Sequence, residues 1–177
     1  MSTDFNFRPV LKGSSIYLRP LKADDFDVLY AAASDPNIWA QHPEPTRWQR
    51  DVFEQGFFKS AVESGSAFVV VDKANERVIG SSRFYEWDRE KAEVAIGFTF
   101  LACDYWGGAT NAEMKQLMLQ HAFKWARLVW LHIGVDNWRS RKAAEKIGAE
   151  FSHEERKEIN GRIRETAFYK ILPLSNL

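Results

Sequence analysis

Residues 104–125, DYWGGATNAEMKQLMLQHAFKW, are the stretch whose reading decides the fold. After Trp106 the loop Gly107-Gly108-Ala109 carries almost no side-chain bulk. Residues 110–125 predict a helix, because Met114, Leu117, Met118, His121, Ala122 and Trp125 recur on one face of a 3.6-residue period. Residues 94–101 (VAIGFTFL) predict a strand, being rich in β-branched and aromatic side chains. A strand, a glycine-rich turn and a helix follow one another. Such a turn leaves backbone N–H groups exposed at a helix N-terminus, where the dipole favours negative charge, and that suits a phosphate or pyrophosphate. A turn that merely needs small residues would read the same way. Thr110 and Glu113 also fit a capping box. There is no GxxxxGK[ST] and no GxGxxG, so neither a P-loop nor a dinucleotide fingerprint is present.

Outward from this stretch the chain alternates strands and helices. Residues 1–13 are expected to be a tail on the surface. Residues 16–19 predict a strand stopped by Pro20, and residues 23–33 a helix with Phe26, Leu29, Tyr30 and Ala33 inward. Residues 35–43, with two prolines and Trp39, form an ordered connection. A second helix is expected over residues 51–63, burying Val52, Phe53, Phe57, Phe58 and Ala61. Residues 67–71 (AFVVV) are a continuous apolar run, expected to be covered on both faces. Strands at 78–85 and 93–101 precede the central helix. A strand at 129–135, a short helix ending at Gly148 and two strands near 150–158 and 164–171 follow it. The last two meet at Asn160-Gly161, the strongest short hairpin signal in the chain. This order predicts an α/β (α+β) fold: a single mixed, mostly antiparallel twisted sheet of about seven strands with helices on both faces.

The chain has 177 residues, which suits one domain over residues 1–177. Its 24 Lys and Arg balance 24 Asp and Glu. Zero formal charge argues against capture of nucleic acid or an anionic membrane, so a bound anion must be held locally. One cysteine, Cys103, excludes an internal disulfide, and four scattered histidines show no HExxH spacing, so no metal is expected. No signal peptide and no bilayer-spanning run is seen, so the expected compartment is the cytoplasm.

Residues 104–109, with 96–101 and 111–123 around them, resemble the [QR]-x-x-G-x-[GA] pyrophosphate loop of the GCN5-related N-acetyltransferases. The residues around the loop look like the branch that includes the enzymes acetylating N-termini of ribosomal proteins. Asp104 departs from the usual Gln or Arg. The element order from 16 to 171 is also that family's. The resemblance implies acetyl-CoA as cosubstrate and an amine acceptor, a small molecule or a protein N-terminus, with no metal and a monomer or homodimer. It places acetyl-CoA between strands 93–101 and 129–135. The main chain of Phe98, Thr99, Phe100 and Leu101 would hold the pantetheine, and Trp106, Gly107, Gly108, Ala109 and Thr110 would form the pyrophosphate loop.

Residues 137–148 resemble the family's N-x-x-S…E-K-x-G segment, which implies Asn137 as a pantetheine ligand. Many members have a Tyr before the Glu-Lys pair as proton donor to the thiolate. Here that position is Ala144, and the resemblance passes the role to Ser140, which otherwise reads as a helix cap. Arg141 and Lys142 could reach the nucleotide phosphates or be surface charge. Trp39, His42, Phe84, Tyr85 and Trp87 are the candidates for the acceptor wall.

The branch usually carries Glu directly before the Ile-Gly pair; Ala95 stands there. The nearest carboxylate on the same strand face is Glu93, about 6.6 Å along at ~3.3 Å per residue, so a bridging water or a bulge at Gly97 is needed for it to act as the base. His42 is the other candidate base. Cys103 as acyl carrier is the covalent alternative. A CoA-binding module without catalysis is the alternative function.

Overall fold

A computed structural model of the chain describes residues 4–159 and 161–173. Its frame is one eight-stranded sheet, of which β1 (Leu11–Lys12) and β2 (Ile16–Pro20) form one end. β3 (Ala67–Asp72), β4 (Val78–Asp88) and β5 (Glu93–Leu101) follow as antiparallel neighbours. β6 (Leu128–Gly134) joins β5 in parallel, and β8 (Arg162–Ile171) lies between β6 and β7 (Glu150–Ile159). The sheet is mixed, mostly antiparallel and open, as expected. The eighth strand is β1, which the sequence reading had assigned to a surface tail.

Helices cover both faces. α1 (Phe26–Ala33), the short α2 (Pro36–Trp39), α3 (Arg50–Phe53) and α4 (Lys59–Ser64) lie on one side. A π-turn at Glu54–Phe58, with Gly56 at its centre, joins α3 to α4 where one regular helix was expected. It still turns Phe53, Phe57 and Phe58 inward. α5 (Thr110–Ala122) lies on the other face, and α6 (Trp138–Lys146) follows β6. α5 ends three residues earlier than its apolar periodicity runs.

Two cores result, and β3 shows why. Successive strand side chains point to opposite faces. Phe68 and Val70 join Met114, Met118, Ile79, Phe84, Val94 and Ile96 under α5. Val69 and Val71 join Leu29, Phe53, Phe57 and Phe100 under α1–α4. Each such burial contributes about 1.5–3 kcal/mol. The tail assignment also fails at Phe5, which is 5% exposed and packed among Phe84, Trp87, His121 and Trp125. The β7–β8 hairpin forms as expected, with Ile159 opposite Arg162 and Gly161 at φ 74°, although Asn160 lies outside the described residues. Among the described residues no helix is long and apolar enough to cross a membrane.

Candidate active site

The sheet opens between β5 and β6. The two strands pair at Glu93–Leu128, Val94–Val129 and Ala95–Trp130, and β6 then continues along β8 to Gly134. On its other edge β5 carries a bulge: Arg83 pairs with Gly97 and Ser81 with Phe100, so Phe98 and Thr99 oppose Ser82 alone. Phe98 has φ 50°, uncommon for an aromatic residue, and is 46% exposed. Residues 97–101 are thereby turned away from residues 131–134, leaving a wedge. The bulge lies beyond Gly97, so it does not move Glu93, which stays in register with Leu128.

The wedge leads to the turn into α5. Gly107 has φ 73°, a conformation that favours glycine. A Cβ built on Gly107 or Gly108 would meet no atom within 4 Å. Trp106 is fixed at both ends: its Nε1 donates to the Leu101 carbonyl (2.9 Å), and the Arg139 guanidinium covers its ring at 4.1 Å. Arg139 in turn donates to the carbonyls of Asn37 and Ile38, and its N–H to Gln41, so the loop, α2 and α6 are tied together. Asp104, the departure from the family loop, faces outward to Arg77 at 3.4 Å.

The capping box is corrected. Ala109 is the N-cap residue of α5, with no side-chain cap bond. The Glu113 carboxylate accepts from Ser14 and from the N–H and hydroxyl of Ser15, binding α5 to the β1–β2 turn. It is thus turned from the loop. Ser140 does not cap α6 either. Asn137 does, its Oδ1 accepting the Ser140 N–H at 3.2 Å. Arg141 is committed to Tyr169, the Val135 carbonyl and Glu154, so it is not available to a nucleotide phosphate; Lys142 stands exposed.

Beneath the bulge lies a buried amine that the sequence reading passed over. Lys115 reaches from α5 and donates to Thr99 Oγ1 at 2.8 Å, and that hydroxyl contacts Ser82 Oγ at 2.8 Å. Burial pulls the Lys115 ammonium down to about 7.

The acceptor candidates separate. Phe84 is fully buried under α5, on the far face, and is corrected from acceptor wall to core. Trp87 packs toward Phe5 while still bordering a cavity described below. Trp39, 3% exposed, packs on Phe100 with its Nε1 donating to the Ala33 carbonyl, and so supports the wall from behind. Tyr85 is the one that faces the wedge. Its ring leaves no room for a Cβ at Gly97, and its hydroxyl contacts His132 Nδ1 at 3.0 Å across the opening. Burial pushes Tyr85 well above the usual phenol range, so it stays protonated.

Glu93 and Ala95 border one cavity of about 500 Å³, with Glu86, Asp88, Trp130, His132, His153, Glu155 and Phe168. Trp130 Nε1 donates to Glu93 at 2.9 Å and so fixes its carboxylate. His132, on the same face as Trp130, is the residue the sequence reading missed. A histidine inside the apolar strand VWLHIG was the available signal. Burial lowers its pKa below 6.5, against the opposing charges of Glu86 and Glu155. His42 is corrected as a base. Burial and then the Arg47 charge hold it down to about 4; its Nδ1 takes the Glu44 N–H, and Arg47 faces its Nε2. Cys103 is no acyl carrier in this state, since burial and Asp35 raise its thiol to about 11, far from a thiolate at neutral pH.

A search of the curated proteins returned no match. Among solved structures, a GCN5-related N-acetyltransferase from Brucella melitensis is similar at 27% identity and TM-score 0.79, over 93% of this chain and 79% of that one. Spermidine N-acetyltransferase from Vibrio cholerae, in complex with CoA and spermine, superposes with TM-score 0.68 at 22% identity, over 90% of this chain and 96% of that one. RimL, a ribosomal-protein alpha-N-acetyltransferase in complex with coenzyme A, does so with TM-score 0.72 at 14% identity, over 93% and 98%. The last two likenesses speak for the fold. The family model described as "Acetyltransferase (GNAT) domain" matches residues 15–150, and with the split sheet running into the glycine turn this chain belongs to the GNAT acetyltransferases.

Proposed function

We propose that the protein is an acetyl-CoA-dependent N-acetyltransferase that acts on a primary amine by direct attack, without an acyl-enzyme. The observation that carries this reading is the wedge between β5 and β6 where it meets the turn into α5. When bound, acetyl-CoA supplies a thioester carbonyl open to an amine. The main chain of Phe98, Thr99, Phe100 and Leu101 pairs with no strand on the β6 side; apart from the Leu101 carbonyl, which accepts from Trp106, its N–H and C=O groups suit the amides of pantetheine. The N–H groups of Gly107, Gly108, Ala109 and Thr110, at a helix N-terminus, suit the pyrophosphate. Asn137 has its Oδ1 engaged by Ser140, so its NH₂ is the group left for a pantetheine carbonyl.

In the transfer the amine nitrogen forms a bond to the carbonyl carbon and the C–S bond breaks. A primary amine near pKa 10 arrives protonated and must first lose a proton. Glu93, held by Trp130, takes it through a water in the cavity it shares with Ala95. After attack the nitrogen loses its second proton to the Ser140 hydroxyl, which gives its own proton to the departing sulfur and so ends unchanged. A CoA-binding module without catalysis is the second reading. It is favoured by Ala95 and Ala144, which stand where the resemblance would place a carboxylate and a tyrosine.

Thiol release from acetyl-CoA against a panel of amines tests the reading, alongside mass spectrometry of products formed in a cell extract. Amine-dependent release is expected. Calorimetric CoA binding without release would select the second reading. Ser140→Ala is expected to lower kcat roughly 10–10³-fold, and Glu93→Gln to lower kcat/KM, both with CoA affinity kept. His42→Ala is expected to leave the pH profile in place. Were His132 the base instead, the acid limb would fall below 6.5 and disappear in His132→Gln.

A further inference from the structure

Two arginines lie on the α1–α4 side of the sheet, Arg83 buried and Arg47 half-buried, without a carboxylate partner among the described residues. Arg83, on β4, is 5% exposed. Its Nη atoms donate to the Ser60 carbonyl at 3.3 Å and to Ser60 Oγ at 3.4 Å, both long, and its buried Nε has no hydrogen-bond partner. Arg47 comes from the segment between α2 and α3. Its Nη1 faces His42 at 3.3 Å, and its buried Nε is likewise without a partner. Glu44, the nearest opposite charge to Arg47, is bound to Arg164 instead. Both guanidinium groups lie over Phe57, at 5.7 Å for Arg47 and 5.9 Å for Arg83. Burial holds Arg83 down to about 10, and the positive charge of Arg47 acts in the same direction.

Arg47 also covers Trp39 at 5.3 Å, so ring contacts hold each guanidinium, but two like charges drawn partly out of water keep two N–H donors unused. Removing a charge from water is costly unless it is paired. They make a good receptor. The guanidinium fork matches the oxygens of a carboxylate or a phosphate, and a desolvated surrounding strengthens the bond. Their place is specific too. Arg83 covers the Phe98 ring at 4.0 Å, and Phe98 is the bulge residue that opens the wedge. Tyr85 meets the same ring edge-on at 5.2 Å and reaches His132 on the other side. An anion held at Arg83 therefore stands beside Phe98 and Tyr85, on the wall of the wedge.

We infer that the amine acceptor carries an anionic group, a carboxylate or phosphate, bound by Arg47 and Arg83; this rests on the acetyltransferase reading above. The cavity of Glu86, Asp88, Glu93 and Glu155, on the same face, is the competing place for an acceptor; Lys91 also lines it and pairs with Asp88, but carboxylates predominate and it would favour a polycation.

The test compares acceptors matched in size, using thiol release from acetyl-CoA: alanine against alaninamide, O-phosphoethanolamine as the phosphate arm, and spermidine as the polycation. The expected result is a kcat/KM roughly 10–100-fold higher for alanine or O-phosphoethanolamine than for alaninamide, as charge-assisted hydrogen bonds would give. Whichever of the two is faster identifies the anion. In Arg83→Met and Arg47→Met that ratio falls toward one, while calorimetric CoA affinity shows the variants to be folded. Equal rates for alanine and alaninamide, equal losses on both in the variants, or a preference for spermidine would overturn the proposal. If no acceptor releases thiol, the acetyltransferase reading fails separately. The anion site is then read, with CoA saturating the glycine turn, by the thermal shift that inorganic phosphate gives the wild type and not Arg83→Met, and absence of that shift in the wild type overturns it.

Discussion

Gly108→Val lowers CoA affinity by roughly 100-fold or more and leaves the melting temperature where it was. The reason is a separation that few glycine substitutions allow. A Cβ at Gly108 meets no protein atom within 4 Å, and Gly108 is not among the residues with positive φ. The folded chain therefore has little objection to a side chain there. The space it would fill lies in front of the first turn of α5, where exposed N–H groups face outward. Loss of two charge-assisted hydrogen bonds to phosphate, at about 1.5–3 kcal/mol each, sets the size of the effect. Gly107→Val is the less informative change, because φ 73° makes it strain the loop whether or not a ligand binds there. Calorimetry with CoA on Gly108→Val decides the matter: affinity equal to wild type would remove the glycine turn from the cofactor site.

Phe5→Ala destabilises the fold by about 3–5 kcal/mol, the usual cost of truncating a buried Phe. Phe5 touches rings from three segments. Its neighbours are Phe7, Phe84 and Trp87 of β4, and His121 and Trp125 at the end of α5. The His121 ring nitrogen contacts the Asn6 carbonyl at 2.7 Å, so the N-terminal segment is held by a polar bond as well. Urea unfolding measures the loss. A change below about 1 kcal/mol would mean that this segment lies on the core without contributing to it.

That second result marks where the sequence was hard to read. Residues 1–13 have no period, and nothing local says that a lone Phe will be drawn across the sheet into the end of a helix far along the chain. The central helix was legible because its apolar residues repeat on one face, and β3 because five apolar residues run together. The glycine turn was legible for a chemical reason, since small residues before a helix have few other uses. The bulge at Phe98 and Thr99 was not. A bulge reverses which side chains face which layer, and the sequence offered one only at Gly97, as one of two ways to bring Glu93 into reach, a residue short of where it forms. His132 was obscured by the same thing: its place beside the opening appears only once β5 is known to turn away from β6. Arg47 and Arg83 lie thirty-six positions apart, and only the packing of both against Phe57 brings them together.

The amine of Lys115 ties stability to proton uptake. Unfolded, a lysine keeps its proton up to about pH 10.4. Folded, this one releases it near 7, because burial disfavours the charge. Below 7 both states hold the proton and the charge opposes folding by a fixed amount. Between 7 and about 10.4 the unfolded chain binds one proton more than the folded chain, so stability rises with pH by about 1.4 kcal/mol per unit from this group. Most proteins are losing stability over that range; here one group pulls the other way. Lys115→Met should remove that rise when urea midpoints are followed from pH 7 to 10, and an unaltered slope would show that the amine keeps its proton inside the fold.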